Sequence, residues 1–122
     1  MKRLSFAVLS LGLVLTGQPS ASAHAVLTDS NPKMFSTVKS APSLIWVEFN
    51  EDLIEMSGKP TNFLDVLDQK GKTITAGKSF VGGARVSVKV RTRLSPGKYT
   101  LTWRIVSGDG HVVRGSTFFF VK

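Results

Sequence analysis

The stretch Lys98-Tyr99-Thr100-Leu101-Thr102-Trp103-Arg104-Ile105-Val106 decides the fold. Tyr99, Leu101, Trp103 and Ile105 recur at every second position, so an extended chain turns all four to one face and the threonines and bases to the other. Ser95-Pro96-Gly97 breaks the chain before it, and the turn-formers Ser107-Gly108-Asp109-Gly110-His111 break it after. Residues 115–121 then supply a closing strand. Upstream, residues 85–91 alternate again, with Val86, Val88 and Val90 on one face and Arg85, Ser87, Lys89 and Arg91 on a face expected to be wet. In Leu44–Phe49, Ile45, Val47 and Phe49 share a face. Phe63–Leu67 enters a turn at residues 68–71 and is expected to return through Thr73 and Ile74. Residues 33–42 and 52–60 read as loops, and 77–83 as an irregular connection. At least six short strands without a helical period predict an all-β domain, an immunoglobulin-like two-sheet sandwich or Greek-key barrel.

The first segment stands apart from this pattern. Lys2 and Arg3 precede an apolar run from Leu4 to Leu15, and the segment ends in Ala21-Ser22-Ala23. A basic start, an apolar run of about a dozen residues and a small-x-small ending are the marks of a cleaved secretory signal. The run is shorter than the ~20 residues a membrane-spanning helix needs. The chain is therefore read as a signal peptide at 1–23 followed by one exported domain at 24–122.

Composition narrows the chemistry. The chain has no cysteine, so neither disulfides nor thiolates contribute, and histidine, carboxylates, methionine and a new N-terminal amine remain. The net charge of +8 comes from bases dispersed along the chain, which reads as a solvated surface and not as a nucleic-acid site.

There are two histidines, His24 and His111. A histidine in a turn is most often a solvated polar residue, and His111 alone would be read so. Cleavage after Ala23 makes His24 the first residue of the mature protein, where its α-amine and imidazole Nδ1 can close a chelate on one metal ion. If the N-terminal strand runs beside the loop of Asp109 and His111, a third nitrogen and a carboxylate join them. Three nitrogens and an oxygen suit copper(II), with zinc the runner-up.

Several stretches carry a resemblance: His24-Ala25-Val26-Leu27, Ser30-Asn31-Pro32, Phe49-Asn50-Glu51, the run from Leu94 to Tyr99, and the series Tyr99, Trp103, Ser107, Asp109 and His111. Together with Gly115-Ser116 they resemble the CopC family of periplasmic copper-resistance proteins over essentially all of 24–122. The resemblance implies a Greek-key β-barrel of about seven strands and a copper(II) site made by the amine and imidazole of His24, the imidazole of His111 and the carboxylate of Asp109. Glu51 occupies the place of a family acid, as an axial ligand or as an outer residue that holds the amine. Glu48 and Asp52 read as structural. The methionine-rich loop that gives some members a copper(I) site is missing, since Met34 and Met56 are isolated. They are expected to cap the barrel, and Trp46 and Trp103 to pack in the core or on a sheet face.

The function this predicts is sequestration or delivery of copper(II) by a monomeric, non-enzymatic periplasmic protein, with an inner-membrane copper transporter as partner. Two other classes compete. One is a metal-free envelope sandwich that binds anionic polymer, and the other is a small copper-dependent oxidative enzyme, disfavoured by the short chain and the lack of a flat aromatic surface.

Overall fold

A computed structural model describes residues 25–91 and 93–122. The expected signal segment and His24 lie outside the described residues. Eight strands follow one another: β1 Leu27–Asn31, β2 Thr37–Val38, β3 Leu44–Phe49, β4 Phe63–Leu67, β5 Thr75–Gly82, β6 Arg85–Val90, β7 Gly97–Val106 and β8 Val112–Val121. They form two four-stranded sheets, ordered β1-β3-β6-β5 and β2-β8-β7-β4. The expected all-β sandwich is present. The strand beyond the expected seven is two-residue β2, inside the segment read as a loop, where it pairs in parallel with the end of β8.

The alternation that decided the fold also makes the core. Tyr99, Leu101, Trp103 and Ile105 of β7 turn inward with Leu64 and Val66 of β4 and Phe119 of β8, and they meet Ile45, Val47, Phe49, Val86 and Val88 of the opposite sheet. Each fully buried aliphatic or aromatic side chain contributes about 1.5–3 kcal/mol of transfer free energy. At the open end of β7 the Tyr99 hydroxyl donates to the Ser95 carbonyl at 2.6 Å, and its ring stacks on Phe119. This arrangement resembles the tyrosine corner of sandwich domains.

Three expectations need correction. Residues 77–83 are not an irregular connection but most of β5, paired with β6 across a register shift between Ala76 and Phe80. The positive φ of Gly77 and this bulge break the alternation by which a strand is read. There Ser79 leans to the other sheet, its Oγ accepting from Leu64 N at 2.9 Å and donating to Leu64 O at 3.1 Å. The return after residues 68–71 is brief, a bridge between Leu67 and Thr73, before the chain crosses into the other sheet as β5. The outer face of β6 is only partly wet. Ser87 is buried between its register neighbours Trp46 and Phe80, and the Arg85 guanidinium lies 3.5 Å over the Trp46 ring while pairing with Glu48 at 3.4 Å.

Trp103 is a core residue. Its ring meets Phe49 edge-on at 5.9 Å between centroids and fills the space above Gly115, its partner across the β7–β8 ladder. A Cβ at Gly115 would lie 2.6 Å from Trp103 Cζ2. Gly115→Ala is therefore expected to cost ~1–3 kcal/mol by overpacking, read as a lower urea midpoint, and Trp103→Phe in that background should recover part of it. Parental stability in Gly115→Ala would show that the ring is not fixed there.

Candidate metal centre

The ten-pair β7–β8 hairpin ends in the loop 107–111, whose residue types set its shape. Ser107 N donates to the His111 carbonyl at 2.9 Å, and Gly110 N to the Ser107 carbonyl at 2.8 Å, with Gly110 at φ 86°, where a side chain would be strained. Ser107 is fully buried, and its hydroxyl donates to Asp109 Oδ1. The same oxygen accepts the His111 backbone N–H at 3.0 Å. Asp109 Oδ2 faces His111 Nδ1 at 2.7 Å. Asp109 and His111, paired in the sequence reading, are thus in contact, and the imidazole is 67% exposed.

The electrostatics follow from these contacts. The Ser107 hydroxyl first, then the His111 backbone N–H and the His111 ring, hold the Asp109 carboxyl well below the usual carboxylate range. The loop therefore presents a carboxylate that stays ionised in all but strongly acidic solution, beside an imidazole.

Glu51 comes to the same loop from the end of β3. Its Oε1 accepts the Gly108 N–H at 3.1 Å, so the carboxylate holds the loop from the side. The preceding residue ties in the start of the described chain: Asn50 Oδ1 accepts Val26 N–H at 2.8 Å, and Asn50 N–H donates to the Val26 carbonyl at 3.0 Å. Ala25 is buried in the core cluster. The entry of the chain, the end of β3 and the loop 107–111 therefore lie at one end of the sandwich. Among the described residues, no three His, Cys, Asp or Glu side chains form a metal-binding group by themselves.

Residue type and spacing alone give Asn50 and Ser107 no role. Asn50 follows directly on an alternating strand and Ser107 stands two residues before Asp109, which are the positions of end-of-strand clamps and turn-stabilising hydroxyls. Of the acids read as structural, Glu48 pairs with Arg85, and Asp52 sits over Gly83. Met34 is half-buried beside Phe35, whose N–H bonds Phe118 on β8. Met56 is 55% exposed, so it does not cap the barrel as expected.

This chain is similar to known proteins along nearly its whole length. The CopC domain pattern matches residues 27–122. Copper resistance protein C of Escherichia coli is 35% identical over 130 residues, covering all of both chains. Protein YobA of Escherichia coli strain K12 is 32% identical over 120 residues, 98% of this chain and 94% of that one. Among solved structures, PcoC, a methionine-rich copper resistance protein from Escherichia coli, superposes with a TM-score of 0.66 at 26% identity, covering 82% of this chain and all of that one. The match of pattern, sequence and fold over the same residues means that this chain belongs to the CopC family.

Proposed function

We propose that this protein holds one copper(II) ion in the periplasm, after removal of residues 1–23, and delivers or sequesters it without catalysing a reaction. The ligands in this reading are the amine and imidazole of His24, the imidazole of His111 and the carboxylate of Asp109. Relatives named for copper resistance give the metal. The observation that carries the ligand set is the double hydrogen bond of Val26 to Asn50, next to Glu51 and its bond to Gly108. Covalent geometry keeps the Cα of His24 within about 7 Å of that of Val26, and in this reading its amine and ring close on the loop.

The donor chemistry fits copper(II). Nitrogen-rich sets with one oxygen favour it over the other common divalent ions, and no thiolate competes. The 2.7 Å between His111 Nδ1 and Asp109 Oδ2 is also informative. The two side chains already stand side by side, so a carboxylate oxygen and an imidazole nitrogen are available to one ion once each turns from the other toward it. Glu51 then acts by its charge and by fixing the loop. Met34 and Met56 come from opposite ends of the sandwich, one near Phe118 and the other just past Ile54, whose N–H bonds Val106. They offer no clustered sulfurs for copper(I). An inner-membrane copper transporter is the partner that would exchange ligands with such a site, and a single domain can serve it as a monomer.

Copper titrations of site variants test this reading. His111→Ala is expected to weaken copper(II) binding by at least ~100-fold and Asp109→Ala by about tenfold, since water replaces an oxygen more readily than a ring nitrogen. An unchanged affinity in either variant would remove that residue from the ligand set. Affinity should also fall steeply from about pH 7.5 to about pH 5 as protons compete for the nitrogen ligands. Asp109 stays ionised across that range, so a flat profile would contradict nitrogen ligation.

The metal-free loop gives a separate prediction. The folded-state pKa of Asp109 is lowered from 3.8, so its ionised form favours the folded protein above that pH. The contribution disappears as pH falls through the lowered value. Ser107→Ala removes the largest cause and should shift the carboxyl titration upward, as read by carboxyl-carbon NMR. An unmoved titration would show that the hydroxyl does not hold the carboxylate.

A further inference from the structure

The outer face of the β2-β8-β7-β4 sheet has a chemistry that neither the core nor the metal centre uses. Phe35, Phe118 and Phe120 form a continuous aromatic cluster, with edge-on contacts of 4.9 Å between Phe35 and Phe118 and 5.6 Å between Phe118 and Phe120. Phe35 is 63% exposed and Phe120 37% exposed. Lys98 lies over the Phe118 ring, its Nζ 4.4 Å from the centroid.

Two features of this face cost stability, set against hydrogen bonds from Phe35 N–H to the Phe118 carbonyl at 2.7 Å and from Arg104 Nη1 to the Thr61 carbonyl at 2.8 Å. Phe35 has φ 63°, in the left-handed region that a bulky side chain rarely adopts, and it spends that strain on holding an aromatic ring in water. Further along the ladder, Arg104 and Arg114 stand directly opposite one another, a like-charge pair that disfavours the sheet. Among the described residues, the ion pairs include none of Lys98, Arg104 and Arg114. Along β4, β7 and β8 the outward positions carry those three bases against one acid, Asp65. Apolar rings beside uncompensated positive charge match a surface that offers anionic headgroups over an apolar interior. A second copy of the same face would bring like charges together, which argues against self-association through it.

We propose that this face docks on an anionic phospholipid bilayer, Phe35 and Phe120 entering the headgroup boundary while Lys98, Arg104 and Arg114 meet lipid phosphates. The proposal does not depend on the copper reading. The docking residues lie on the sheet face, with Arg104 and Arg114 two positions from the last pair of the β7–β8 ladder, whereas the loop 107–111 projects beyond the end of that ladder.

Co-sedimentation of the form beginning at His24, which contains both sheets whole, with equimolar phosphatidylglycerol–phosphatidylcholine vesicles tests this. Binding should be at least tenfold tighter than to pure phosphatidylcholine and should weaken with added salt. Lys98→Ala and Arg114→Ala should each lower it about fivefold, and Phe35→Asn with Phe120→Ser at least tenfold. Because asparagine tolerates the left-handed region, Phe35→Asn alone should keep or raise the thermal midpoint, which separates lost docking from lost folding. No binding, equal binding to neutral vesicles, or full binding by the phenylalanine variants would overturn the proposal. So would a concentration-dependent dimer that Phe35→Asn abolishes, since the face would then belong to a second copy.

Discussion

Asn50 and Glu51, side by side at the end of β3, join parts of the chain that are far apart in sequence. Asn50 exchanges two hydrogen bonds with Val26, and Glu51 accepts one from Gly108. Each such bond contributes only about 0.5–1.5 kcal/mol, so they do not hold the sandwich together. Their effect is positional. The buried contacts beneath them, Ala25 and Phe49 in one core cluster with Trp103, make the end of the sandwich stiff enough for three weak bonds to set where the chain enters and where the loop stands. That clamp holds, through Gly108, the loop that carries Asp109 and His111.

What could be read beforehand followed from how local its physical cause is. The inward series Tyr99, Leu101, Trp103 and Ile105 is visible because alternation is a property of one strand. β5 was hidden because the bulge near Gly77 interrupts its alternation, and β2 because two residues paired in parallel with β8 leave no pattern. In the candidate site, Asp109 and His111 could be picked out by residue type in a turn. The bond from Gly108 to Glu51 spans 57 positions, and the clamp by Asn50 spans 24, so neither could be found by spacing. In the sequence Ser107 is one turn-former among several, and its work, holding Asp109 Oδ1 from a fully buried position, appears only with the loop folded.

The two proposed surfaces use opposite physical resources. The candidate metal centre at one end gathers polar donors on a short loop, where Gly110, at positive φ, lets the backbone turn tightly. The aromatic face uses a long regular sheet to display Phe35, Phe118 and Phe120 beside Lys98. A rigid two-sheet core lets both exist in so small a domain, because strain at Phe35 and like charge at Arg104 and Arg114 are borne by packing elsewhere. Membrane docking and an open metal loop are compatible in this arrangement, since one occupies a sheet face and the other a sheet end.

The central claim is that the metal site is completed by the α-amine of His24, and it is tested most directly by electron spin resonance during copper(II) titration of two forms. One begins at His24 and the other keeps extra residues before it. A tight one-to-one tetragonal spectrum with nitrogen couplings from the first form only is the predicted result. The same spectrum and affinity from both forms would contradict the claim, because the amine would then not be a ligand.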